Sequence, residues 1–125
     1  MLIVAVIALA SFLASFTDWL CFDVLIHRFY GVAPEVWRAR GEAGRIVVSQ
    51  IIGTIASAAA VVLCLWMPGR PLAVAGLVWA AGPLPATLQN LQWMRLHPAI
   101  GASHAAGWLA RLVIAALLAA WLLPG

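Results

Sequence analysis

Lysine is absent from this 125-residue chain, and charge of either sign is scarce: seven basic residues, all arginine, stand against four acids. Charged residues make up 9% of the whole, where a soluble domain carries about 25%. Such a chain cannot cover its surface with groups that water solvates well. The basic excess is also too small and too scattered to form a stripe along a nucleic acid, so none is expected as a partner. The chain has two cysteines, Cys21 and Cys64, at no metal or redox spacing; each reads as a buried structural thiol. No HxxxH or CxxC joins His27, His97 and His104, so neither metal nor haem is expected, and no cofactor is predicted. There is no GxSxG, no phosphate loop and no nucleophile beside a base. The apolar N-terminus lacks the basic segment that opens a secretory signal and runs on past signal length, so it reads as a retained helix.

What the chain has in quantity is apolar sequence, 66% of residues, with a mean hydropathy of +1.06. A helix needs about 20 mostly apolar residues to cross a bilayer core. Runs at approximately 2–29, 46–67, 72–93 and 100–123 meet that need. The fold class predicted is therefore all-α, an integral membrane bundle of four transmembrane helices, with residues 1–125 forming one domain and the lipid bilayer as its first partner. Pro68-Gly69-Arg70-Pro71 is too short to do more than reverse direction, which makes the second and third helices an antiparallel hairpin. Trp37, Trp66, Trp93 and Trp121 fall near helix ends, where an aromatic belt sits, whereas Trp19, Trp79 and Trp108 fall mid-span and need packing partners.

A charge within the bilayer costs several kcal/mol unless it faces the bundle and finds a partner, so each intramembrane ionisable group is a functional candidate. Asp18, Asp23, His104 and Arg111 qualify. Asp18 lies ten residues before Arg28 and Arg111 eleven after Ile100, depths of about 15 and 17 Å from one side at 1.5 Å per residue. Opposite charges at one depth predict an ion pair. Asp23 has His27 one turn away, and His104, Trp108 and Arg111 share one helix face. With Asn90 these residues form an expected buried polar cluster: Asp18, Asp23, His27, Asn90, His104 and Arg111. Thr17, Gln50, Thr87 and Gln89 fall in the same half of the membrane. Taken singly, each residue is as well explained by a network that fixes helix register. Pro83 and Pro85 interrupt the third helix, depriving the carbonyls of Trp79 and Ala81 of their amides. Transporters use such breaks to hold ions, though packing kinks are common too. Ser49, Gly53 and Ser57, beside Ala56 and Ala60, make a small-residue seam that permits close helix approach.

Several short motifs recur together: Thr17-Asp18-Trp19-Leu20, Val24-Leu25-Ile26-His27, Pro34-Glu35-Val36-Trp37-Arg38, Ala81-Gly82-Pro83-Leu84-Pro85, Asn90, Leu96-His97-Pro98, Ser103-His104-Ala105 and Gly107-Trp108-Leu109. In these the chain resembles a bacterial membrane family catalogued as domain of unknown function 1761. The resemblance implies a four-helix fold, no established activity and no functional residue to carry over.

Three functions remain open: an accessory or assembly module, a transporter or channel for a proton, small ion or polar metabolite, and an enzyme using Asp23, His27 and His104 as acid and base. A bundle this small would need to oligomerise for alternating access, and a homo-oligomer or a larger membrane complex is expected on either of the first two readings. The accessory module ranks first. The expected location is a bacterial cytoplasmic (inner) membrane, and arginine placement sets the orientation. Arg28, Arg38, Arg40 and Arg45 cluster at the first connection and Arg95 sits at the third, against Arg70 alone on the other side. Both termini are thus expected outside the cytoplasm. A reporter fused after Gly125 should read non-cytoplasmic; a cytoplasmic signal would reverse the topology.

Overall fold

A computed structural model of the chain describes residues 1–20, 43–93 and 98–123. All the regular structure among them is helical: α1 (Leu2–Trp19), α2 (Ala43–Trp66), α3 (Pro71–Ala81), α4 (Pro83–Trp93) and α5 (Pro98–Leu122). Three stretches are long and apolar enough to cross a membrane: Val47–Trp66, Pro71–Trp93 and Pro98–Leu122. α1 is apolar but shorter within the described residues, Leu2–Thr17. Its backbone at Leu20 is still right-handed helical, with φ −59° and ψ −45°. Cys21, Asp23 and His27 lie outside the described residues.

Proline placement explains where the helices begin. Pro71, Pro83 and Pro98 each open a helix. The first turn has no use for its amide hydrogens and the ring fixes φ near the helical value, so proline is well suited there. The third predicted span is consequently two helices. α3 ends on Gly82, whose φ of −126° and ψ of −80° leave the helix while its N–H still donates to the Val78 carbonyl at 3.1 Å. α4 then restarts the ladder, with Ala86 N–H donating to Gly82 O at 3.1 Å and Thr87 Oγ1 donating to Pro83 O at 2.8 Å.

α1, α2, the α3–α4 stretch and α5 run alternately up and down. The Ser15 hydroxyl of α1 reaches Gln50 Oε1 of α2 at 2.7 Å, setting the end of one helix beside the start of the other. Gly69, at φ +78°, takes the left-handed turn between α2 and α3 that glycine alone adopts without strain. The same turn meets the end of α5 at Ala119 and Leu123. α5 is the centre of the fold, packing against α1, α2, α3 and α4.

Small side chains let the helices approach. Ala10, Ala14, Ala60, Ala75, Ala115 and Ala116 are completely buried, joined by Val6, Val61, Val74 and Leu112. Between apolar helices in an apolar solvent, attraction comes from close van der Waals packing, and alanine and glycine permit it. The Gly53, Ser57 and Ala60 part of the α2 seam is buried inside the chain, while Ser49 faces outward. Cys64 is free and buried in the same core. The outside is apolar: Phe12, Val47, Ile51, Ile55, Leu72 and Leu77 are all exposed. Trp66, Trp93 and Trp121, at helix ends, are each more than 80% exposed.

Of the three tryptophans expected to need partners, Trp79 has the strongest, its indole N–H donating to the Ala105 carbonyl of α5 at 2.8 Å. Trp19 departs from the expectation: it is half exposed and lies against Phe16, with ring centroids 5.8 Å apart. Trp79→Phe should lower stability in detergent by about 1 kcal/mol, the worth of one hydrogen bond. Trp93→Phe should change it by less than about 0.5 kcal/mol, as for other exposed sites. Equal losses would show that the Trp79 contact does not hold α3 to α5.

Candidate functional site

Arg111 lies thirteen residues into α5, about 20 Å from its start and about 17 Å from its end, yet its side chain is only 5% exposed. A guanidinium stays protonated in proteins, so a permanent positive charge occupies the middle of the bundle. Three features shape its seat. Its Cζ lies 5.8 Å from the centre of the Trp108 ring, within cation–π range. On the α2 side it rests against Gly53, where an added Cβ would fall on the guanidinium, 2.6 Å from Cζ and 2.8 Å from Nη2. A Cβ there would oblige the guanidinium to shift. Ser57, one turn on, turns its buried hydroxyl back onto the Gly53 carbonyl at 3.0 Å.

Hydroxyls make up most of the remaining polar groups. Ser11 on α1 and Ser103 on α5 are each 7% exposed, with Oγ atoms buried and, among the described residues, without a hydrogen-bond partner. Ser103 and Arg111 share a buried face of α5 through Gly107, at intervals of four residues. Ser15 carries one hydroxyl hydrogen and two acceptors, Ser11 O at 2.8 Å and Gln50 Oε1 at 2.7 Å. If the Gln50 amide is turned over, its NH₂ donates to Ser15 Oγ and all three groups are satisfied.

Of the expected cluster, the side chains of Arg111, His104 and Asn90 are among those described. Arg111 is buried and His104, two turns earlier on α5, is half-buried. The side chain of Asp18 lies outside what is described, as do Asp23 and His27. Asn90 requires a correction, because it is exposed, and α4 has no buried residue at all. Leu91 explains this. It is a residue of α4 that meets α5, where a Cβ on Gly101 would come within 2.6 Å of its methyls. Asn90 precedes it by one position, about 100° around the helix, and so points away from the bundle. Gln89 is exposed as well. Thr17 and Thr87 bond back to carbonyls of their own helices, Leu13 O at 3.1 Å and Pro83 O at 2.8 Å. They add nothing to a shared site.

Pro83 and Pro85 occupy the first turn of α4, and the third span breaks at Gly82 immediately before them. Among the described residues no three His, Cys, Asp or Glu side chains come together as metal ligands. Neither Ser11 nor Ser103 stands out in the sequence. A hydroxyl at an alanine-like position of an apolar helix is the only signal either offers.

Comparison with protein-family models, with curated proteins and with solved structures finds no match to this chain.

The fit of Gly53 to the guanidinium can be tested directly. Gly53→Ala should cost about 1–3 kcal/mol of stability, the usual range for overpacking a filled site. In an Arg111→Gln background the same change should cost less than about 0.5 kcal/mol, since a shorter side chain leaves room. Equal penalties in the two backgrounds would show that the glycine is not there for the arginine.

Proposed function

We propose that this chain is a four-span protein of a bacterial cytoplasmic membrane, with both termini on the non-cytoplasmic side, and that it works as a small binding or assembly module. Membership of the family catalogued as domain of unknown function 1761 is part of the same proposal. The exposed apolar exterior and the exposed tryptophans at helix ends support membrane residence. The observation that carries the modular reading is the packing around Arg111: the guanidinium rests directly on Gly53, next to a core of alanines. A charge seated this way fixes helix register. An aqueous path through the bundle would instead line it with water.

The anion proposed for Arg111 is Asp18. α1 packs against both α2 and α5, and Asp18 is the only acid within it. Ser15 is level with Gln50, which places position 18 about 9 Å along the bundle from Gly53, six residues at 1.5 Å each.

The second reading, an oligomeric transporter or channel for a proton, small ion or polar metabolite, draws on the helix break at Gly82. The mass of the purified detergent complex distinguishes the two. A heterologous membrane protein at fixed stoichiometry is expected; a homo-oligomer holding a small polar ligand would favour transport. For the pair itself, Asp18→Asn and Arg111→Gln should each cost about 3–5 kcal/mol, as when one partner of a buried pair is removed, and the double variant less than their sum. Losses that simply add would mean that the two residues do not interact.

A further inference from the structure

Where α2 turns into α3, the bundle leaves a cavity of about 190 Å³, lined by Cys64, Met67 and Gly69 of the hairpin and by Ala119, Ala120 and Leu123 of α5, among others. Two helix C-termini meet here, α2 ending at Trp66 and α5 at Leu122. Each brings the negative end of its dipole. Cys64 and Ala120 both line the space, and the residue four positions after each is a proline, Pro68 and Pro124. Proline has no amide hydrogen, so the helical donor to both carbonyls is missing. The carbonyls of Cys64 and Ala120 therefore lack their helical donor, and the two helix ends add partial negative charge beside the space their residues line. Arg70 supplies the opposite sign at the lip: it is exposed and stands between Gly69 and Pro71, both lining residues. Trp66 and Trp121, at the same end, are exposed where a belt residue meets lipid headgroups.

Donor-deprived carbonyls on two lining residues, with a fixed cation between two others, complement a zwitterion whose positive end carries N–H donors and whose negative end remains outside. We propose that this cavity holds the headgroup of an amino-phospholipid, its primary ammonium donating to the carbonyl oxygens of Cys64 and Ala120 and its phosphate facing Arg70. The inference rests on the membrane reading above. Space is adequate, since one water occupies about 30 Å³ of liquid and the cavity admits a group of several heavy atoms. An ammonium loses strong hydration on entry and must regain hydrogen bonds, which the two amide-deprived carbonyls provide. A choline headgroup has the charge but no donor, and a glycerol headgroup has hydroxyls but no positive charge. Neither completes the arrangement.

The test uses the full chain extracted from membranes, with binding of short-chain phosphatidylethanolamine, phosphatidylcholine and phosphatidylglycerol followed by native mass spectrometry and by the rise in melting temperature. Phosphatidylethanolamine should bind at least about tenfold more tightly than the other two, the worth of a charge-assisted hydrogen bond. Ala120→Phe fills the cavity from an exposed position, and Pro68→Ala gives the Cys64 carbonyl an amide donor. Either should erase the preference. Equal binding of all three lipids would overturn the inference, leaving an apolar slot for acyl chains. Competition by soluble ethanolamine phosphate as effective as the lipid itself would overturn the assignment to a bilayer component. A chain recovered in the soluble fraction would instead refute the membrane reading, so the two failures are distinct.

Discussion

A guanidinium that cannot release its proton occupies the middle of α5, and the packing of the other helices is organised around it. Burying one charge in a low-dielectric interior costs several kcal/mol before any partner is counted. That cost is tolerable only if the charge lies on the most enclosed helix, and α5 is the element that packs against all the others. The requirement passes to the neighbours. On α2 the guanidinium lies where a Cβ on Gly53 would stand, so glycine at that position lets it sit as it does. Along α5 itself, Gly107 and Ala115 keep the same face slim on either side of the arginine. Trp108 provides a ring face in place of water.

A core made this way differs from that of a soluble bundle. Among the described residues its buried positions are mostly alanine, glycine and serine, with Ile100 and Leu112 the largest side chains that are enclosed, and most of the other leucines and isoleucines, with the tryptophans at helix ends, lie outside. In water that distribution would expose a continuous apolar surface. Next to lipid it is the arrangement that allows close packing, because hydrocarbon outside is as apolar as leucine and the gain comes from helix contact.

The helices and the hairpin were legible because they follow from local chemistry. Apolar run length and the Pro68 to Pro71 turn act within a few residues and need no tertiary information. The break in the third span was legible from Gly82 and Pro83 for the same reason. Asn90 was misplaced because depth in a membrane can be counted along a sequence, whereas the facing of a helix depends on its neighbour, here Leu91 on Gly101. Trp19 was misplaced similarly, since its exposure depends on which neighbours face it and not on its depth along the sequence. The seam residue Gly53 was visible as a small residue, but its partner was not, because nothing local ties position 53 to position 111. Where Asp23 and His27 were placed in the cluster lies outside the described residues.

The accessory reading treats the charge as a fastener, and the claim beneath it is that Arg111 is sealed within the bundle. Solid-state or solution ¹⁵N NMR of arginine-labelled protein in lipid nanodiscs addresses this most directly. Of the seven arginine guanidinium groups, one should exchange its protons with water far more slowly than the rest, and that signal should vanish in Arg111→Gln. Rapid exchange at all seven would contradict the account, placing water at Arg111 and favouring a hydrated pathway through the protein.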